Sequence, residues 1–303
     1  MSRQGLQRGF TLVELIMVIV IMGAIGGMVS VFMRSPIDAY FASARRAELT
    51  DVADTTVRRI ARDLRGALPN SLRPPIGGGG SLCIDFIPTK IGGRYRVGGA
   101  PAANVLVFNA VDTSFNMLGD NINLPADQAD QKIEENDLIA IGNQGIPGAD
   151  AYMQDNTDRV NAAPVLVPGV GILGPETTIT TAGRATPYPQ ESGSNRFHVI
   201  PAAEHVVSYV CTNVGVDATG NGTGTLFRLA RVLAGPYPQP AACLTQAGIP
   251  AGTPVLAQNL SACNFVYNSA DLQRNAMLQI GMELTRDNET VGLYHEIHVD
   301  STP

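Results

Sequence analysis

Apolar and polar positions divide the chain into three stretches. Residues 15–33 are 19 positions without a formal charge. At about 1.5 Å of rise per residue, a helix of that length crosses a hydrocarbon core of about 30 Å. Glu14 stands at its front. An acid there either meets a cation or reaches interfacial water, because an ionised group within a bilayer costs at least a few kcal/mol. Pro36 is expected to interrupt the helical ladder, giving a kink or short break after which the helix resumes.

From residue 37 to residue 68 the pattern becomes amphipathic. Ile37, Tyr40, Phe41, Ala44, Ala53, Val57, Ile60, Leu64 and Leu68 recur at three- and four-residue spacings. Arg45, Arg46, Glu48, Asp51, Asp54, Arg58, Arg59, Arg62, Asp63 and Arg65 supply a charged, mostly solvated opposite face, with Asp54 and Arg58 placed for an i,i+4 pair. Gly66 and Pro69 end the helix. The spacing is not sustained as heptads, which weighs against a coiled coil.

Beyond residue 69 the period shortens toward that of strands. "CIDFIP" (83–88), "NVLVFNAV" (104–111), "DLIAIG" (137–142), "FHVI" (197–200) and "HVVSYVC" (205–211) read as strands. The turn-rich residues 213–224 lie between "HVVSYVC" and "TLFRLARV", so residues 204–232 read as a hairpin. "ACNFVY", "MLQIGMELT" and "VGLYHEIHVD" predict an antiparallel meander. Residues 92–195, rich in Gly, Pro, Asp and Asn, read as long loops inserted between strands. The expected class is α+β: a long transmembrane and amphipathic helical stem, then a β-rich head with antiparallel sheet and long loops. Its parts are residues 10–35 as the apolar helix, 36–68 as the amphipathic helix and 69–303 as the head, with residues 1–9 ahead of them.

Charge and cysteines locate the head. Arg3 and Arg8 precede the apolar run, which places the start in the cytoplasm and the head outside it. No small-residue cleavage site follows the run, so an ordinary secretory signal does not fit. Cys83, Cys211, Cys243 and Cys263 all lie in the head, in a compartment where disulfides persist. Of three connectivities, the reading favours Cys243 with Cys263 as a loop clasp and Cys83 with Cys211. A zinc site is disfavoured by the long, irregular spacings and the absence of C-x-x-C. The head holds 12 Lys and Arg against 21 Asp and Glu, a formal charge of −9. Such a surface repels nucleic acid, apart from a local basic spot at Arg94 and Arg96.

Catalytic constellations are absent from the sequence. "HEIH" (295–298) is one residue short of H-E-x-x-H, and in a strand His295 and His298 face opposite sides. "GGSLC" lacks the last glycine of a nucleophile elbow, and "IGGGGS" has no lysine after it for a phosphate loop. The glycines at 77–80 read as a linker. No enzyme is expected.

"RGFTLVE", residues 8–14, resembles the processing signature of type IV prepilins and of the pseudopilins of type II secretion. The resemblance implies that a prepilin peptidase cuts between Gly9 and Phe10 and that mature Phe10 is N-methylated. It also implies that Glu14 pairs with the terminal amine of a neighbouring subunit during assembly. Gly23, Gly26 and Gly27 suit close helix packing, Gly23 and Gly27 at the G-x-x-x-G spacing, although glycine is also common in membrane helices generally. The stem and head resemble a pilin "lollipop". "CIDFIPTKIGGRYR", "LFRLAR", "ACNFVY" and "YHEIHVDSTP" resemble MshO-like and PilW-like minor pilins of mannose-sensitive haemagglutinin (MSHA) pilus systems. The implied protein is a minor pilin that enters, primes or caps such a pilus. Its partners would be major and minor pilins, the prepilin peptidase and the inner-membrane assembly platform. It would sit as a single-pass inner-membrane protein with a periplasmic head before reaching the cell-surface pilus. A minor, J-like pseudopilin of type II secretion and a membrane-anchored adhesin are the alternatives. No cofactor is expected. Calcium, held in some related pseudopilin heads, has candidate ligands here in Asp120, Asp127 and Asp130 of "GDNINLPADQAD", although no EF-hand spacing is present.

Overall fold

The computed structural model describes residues 10–76, 80–98, 104–169, 174–268 and 275–300, with the backbone alone at positions 35, 268, 275, 276 and 300. One helix, α1 (Leu12–Arg65), precedes strands β1 (Cys83–Phe86), β2 (Ile91–Arg94), β3 (Ser114–Leu118), β4 (Leu138–Ala140), β5 (Thr157–Arg159), β6 (Val165–Val167) and β7 (Glu176–Thr180). There follow β8 (Arg196–Ile200), β9 (Val206–Thr212), β10 (Gly224–Arg231), β11 (Val255–Asn268), β12 (Asn275–Arg286) and β13 (Glu289–Asp300). The α+β class expected from the sequence is the one observed. The chain divides into two compact units, one ending at Leu49 and the other beginning at Thr50.

Within the first unit α1 carries its large apolar side chains exposed, from Leu12 to Phe41. It is long and apolar enough to cross a membrane. Pro36 lies inside α1, which continues through it without the short break that was one of the two outcomes expected there. Proline removes one donor, and residues on both sides keep the ladder. Ile37, Tyr40 and Phe41 are exposed too, so the buried stripe of the amphipathic segment begins later than its periodicity implies.

In the second unit, the helical residues 50–65 bury Ala53, Val57, Ile60, Ala61 and Leu64, with Leu68 just beyond. Gly66 ends the helix, its amide donating to the Asp63 carbonyl at 3.1 Å. The main sheet is antiparallel throughout, in the order β1-β9-β10-β11-β12-β13. It contains the expected hairpin, with Thr212 opposite Thr225, and the expected meander β11-β12-β13. Asp63 belongs to the seam of this unit rather than to the solvated face to which its helical position assigns it. Its carboxylate accepts from the Tyr209 hydroxyl at 2.7 Å and from Arg228 Nε at 2.9 Å, while the Arg228 fork reaches Glu204 at 2.9 and 2.8 Å. Arg228→Ala leaves two carboxylates and a phenol without their cation. Because the cluster is partly solvated, the expected cost is about 2–3 kcal/mol, below that of a fully buried pair. Urea unfolding measures it, and an unchanged midpoint makes the cluster incidental.

The described residues of 92–195 are not only long loops. They form strands β3 to β7 and, with β2 and β8, two small antiparallel sheets in the orders β2-β8-β4-β5 and β3-β7-β6. Between these elements lies a core that includes Tyr95, Phe115, Ile139, Val160, Ile179 and Phe197. β4 and β8 correspond to the expected strands 137–142 and 197–200, whereas β2, β3, β5, β6 and β7, of three to five residues, are too short to declare themselves by alternation. The asparagines that read as loop formers are in part buried knots. Asn121 accepts from the Ile133 amide at 2.7 Å, and Asn143 accepts from the Ala151 amide at 2.9 Å while donating to the Pro69 carbonyl at 2.6 Å. "NVLVFNAV" is not a strand either. Leu106 is buried and Phe108 half-buried in that core, and the Val107 amide donates to the Asp112 carboxylate. Packing rather than pairing accounts for its apolar run.

His205, at the mouth of β9, is buried, and its Nε2 has no hydrogen-bond partner among the described residues. The Leu233 amide donates to its Nδ1 at 2.9 Å, a bond that an unprotonated nitrogen accepts. Burial holds the imidazole below its ordinary pKa. A depressed histidine contributes stability above the unfolded value near 6.5, and that stability is lost as pH falls from there through the folded value. The slope reaches at most about 1.4 kcal/mol per pH unit. Burial pushes the Asp85 carboxyl upward, which acts with the opposite sign, so the comparison is between proteins rather than between pH values alone. His205→Asn is expected to flatten the fall in unfolding midpoint between pH 7 and pH 5, and an unaltered slope removes His205 from the acid response.

Candidate functional site

The sequence signals converge on the start of α1. Thr11 precedes the first helical residue, and its Oγ1 accepts from the Glu14 amide at 3.3 Å. Thr11 also accepts, through its carbonyl, the first turn's bond from the Leu15 amide at 3.2 Å. Thr11 is therefore an N-cap, with Glu14 three residues along as in a T-x-x-E capping box. The sequence reading passed over Thr11, although this spacing is its signal. The cap fixes the first turn, and Glu14 adds a negative charge where the helix dipole favours one.

Phe10 and Glu14 are four residues apart and both exposed. Gly9, on the other side of the expected cut, lies outside the described residues. Further along α1, Gly23 and Gly27 are exposed, and a Cβ built on either meets no atom within 4 Å. Among the described residues, no side chain fills the space above them. The first unit thus presents a capped helix start with one carboxylate, followed by an apolar surface that its own side chains leave uncovered.

The other expected site residues lie in the second unit. All four cysteines are bonded, but not as favoured: Cys83 pairs with Cys243 and Cys211 with Cys263, with Cα separations of 5.6 and 6.4 Å. Register explains the correction. Cys83 stands opposite Val210, so its side chain shares that residue's face and Cys211, the next residue, points from the other. The lead-in to β1 pairs directly with β11, the Ser81 amide donating to the Phe265 carbonyl at 3.0 Å and the Phe265 amide to that of Ser81 at 2.8 Å. Cys243 reaches Cys83 because its loop runs beside residues 74–76, with the Ile76 amide donating to the Pro240 carbonyl.

Asp120, Asp127 and Asp130 are not gathered into a metal site, and among the described residues no group of three His, Cys, Asp or Glu is. Asp120 closes its own turn, accepting from the amides of Asn123 and Ile122 and from the Asn123 side chain, which holds its carboxyl below the usual range. Asp127 belongs to the short 3-10 turn Ala126–Gln131, which also contains Asp130. His295 and His298 stand opposite Ile280 and Met277 in β13, on opposite faces as expected. Arg96 is paired with Glu176, which neutralises part of the basic spot expected at Arg94 and Arg96.

A model of the prokaryotic N-terminal methylation motif matches residues 5–30. The chain therefore carries a type IV pilin-like prepilin signal, and the match spans the expected cut, the N-cap, Glu14 and the glycines of α1. It marks the chain as type IV pilin- or pseudopilin-like. Proteins with this motif are processed by prepilin peptidase and assemble with other pilins. No curated protein and no solved structure matches the chain.

Proposed function

We propose that this chain is a minor pilin of an MSHA-type type IV pilus, with a structural and assembly role rather than a catalytic one. The observation that carries the reading is the prepilin signal at residues 5–30 joined to a helix whose apolar side chains, from Leu12 to Phe41, are left exposed by the chain itself. A bilayer covers such a surface while the subunit is stored, and neighbouring helices cover it after assembly. Cleavage between Gly9 and Phe10 leaves an amine on Phe10, and Glu14 supplies a counter-charge for the amine of an adjacent subunit. The acidic, disulfide-bonded head then stands outside the cytoplasm. Its size favours a low-abundance place near the tip over repeated packing in the shaft.

The test is the N-terminal mass of this protein in filaments sheared from cells. A chain starting at N-methylated Phe10, present at low stoichiometry, supports the proposal. A processed chain confined to membranes, in cells that lose secretion but keep pili on deletion of the gene, replaces it with a type II secretion pseudopilin. An uncut chain replaces it with a membrane-anchored binding protein.

A further inference from the structure

The outer edge of the main sheet differs from its other edge in a way that points to a partner. At one side, the four residues of β1 are covered by the chain itself: Arg73 and Asp85 exchange backbone bonds of 2.9 Å, and the Leu68 amide donates to the Ile87 carbonyl at 2.8 Å. At the other side, β13 runs for twelve residues, in register with β12 from Asn275–Asp300 to Arg286–Glu289 without a bulge. No described strand pairs with its outer side. Alternate residues of such an edge turn an amide and a carbonyl outward. Edges that stay solitary are usually short, bulged, or guarded by charge or proline; β13 is long, without bulge or proline, and its guard is acidic only.

The chemistry of β13 selects among occupants. Its sequence, ETVGLYHEIHVD, holds three carboxylates, two histidines, and no lysine or arginine. At the turn end Glu289 stands opposite Arg286 in β12, so the acidic excess lies at Glu296 and Asp300. Tyr294, 62% exposed, and Glu296 share the solvent face, where the tyrosine hydroxyl donates to the carboxylate at 2.7 Å. A second copy fits poorly. β13 holds no lysine or arginine with which to answer the carboxylates of a second β13, and like charges brought together across a sheet are destabilising.

We infer that β13 is the docking edge for an extended segment of a different polypeptide that carries lysine or arginine at alternate positions and adds as a further strand of the main sheet. Backbone bonds supply the affinity and the Tyr294–Glu296 face supplies the preference for basic residues. The inference stands on the sheet and is independent of the filament reading.

The full chain in detergent is titrated with three synthetic twelve-residue probes: alternating valine and lysine, alternating valine and glutamate, and the lysine peptide with prolines at two central positions. The lysine peptide is expected to bind and to slow amide exchange across residues 289–300, and the other two are expected to do neither. Glu296→Lys, at an exposed position, is expected to weaken the lysine peptide about three- to tenfold. Retained exchange protection in β9 and β10 verifies that this variant is folded. Equal binding of acidic and basic peptides, protection elsewhere than β13, or no binding overturns the inference. Concentration-dependent protection of β13 without peptide also overturns it, because the occupant is then a second copy.

Discussion

Glu14→Gln and Glu14→Ala are expected to insert into the membrane and to undergo the proposed cleavage and N-methylation no less than the unsubstituted chain, yet to fall in sheared filaments by more than about tenfold. The physical reason is the asymmetry of a desolvated ion pair. Two opposite charges brought together in a low dielectric offset much of their own dehydration, whereas deleting one strands the other. Removing one partner of a buried pair costs about 3–5 kcal/mol, more than a hundredfold in an equilibrium constant. Membrane storage is barely affected, because Glu14 lies at the front of the apolar run and not within it. Glu14→Asp keeps the charge on a shorter arm and is expected to recover assembly in part. Glu14→Lys, which repels an amine, is expected to be as defective as Glu14→Ala or worse. The Thr11 cap is spared in every case, since it accepts from the backbone of residue 14 and not from its side chain. Immunoblots of filament and membrane fractions decide the matter. Wild-type incorporation of Glu14→Ala removes the role proposed for this carboxylate.

The candidate site was legible because its signals are local. An uncharged run, a single acid and the residues 8–14 declare themselves without knowledge of the rest of the chain, and the motif match over residues 5–30 covers the same ground. The meander was legible for a related reason: β11, β12 and β13 are twelve to fourteen residues long, enough for their apolar alternation to show. β4 was legible within "DLIAIG", but the three-residue strands β5 and β6 show no period, and elsewhere in residues 92–195 the turn-forming composition dominated the reading. There asparagines act as buried backbone partners, a use that depends on tertiary position. Asp63 was misplaced for the same kind of reason. Helical periodicity assigns it to the charged face, and only the arrival of Tyr209 and Arg228 from the sheet makes that position a seam. The disulfide pairing needed the register between β1 and β9, which no spacing of cysteines encodes.

The double variant Cys83→Ser, Cys243→Ser is expected to lower the unfolding free energy of the head by about 2–5 kcal/mol, the usual cost of a native bridge. This bridge joins residues 160 apart, against 52 for Cys211–Cys263, so it restrains the larger part of the unfolded chain. It also has a local task. The loop between β10 and β11 contains no strand, only the short turn Gln246–Gly248. Its first residues are held by the core, the Leu233 amide donating to His205, the Tyr237 amide to the Tyr152 carbonyl and Arg73 to the Tyr237 carbonyl; beyond them, besides the disulfide, the ties are the Ile76 amide to the Pro240 carbonyl, the Gln239 side chain to the Pro74 carbonyl at 2.6 Å and the Thr212 hydroxyl to the Gln246 side-chain oxygen. These are single hydrogen bonds, each of modest net worth. Without the bridge, limited proteolysis is expected to cut first within residues 232–254 while the sheet persists. Cys211 and Cys263 are both buried and lie within strands, whereas Cys243 is only half-buried on this loop. Mild reductant is therefore expected to open Cys83–Cys243 before Cys211–Cys263, because exchange needs access for the attacking thiolate. Mass spectrometry after timed alkylation reads the order. Simultaneous opening of both bridges, or first cleavage elsewhere in the head, contradicts the assignment of this bridge as the clasp of the loop.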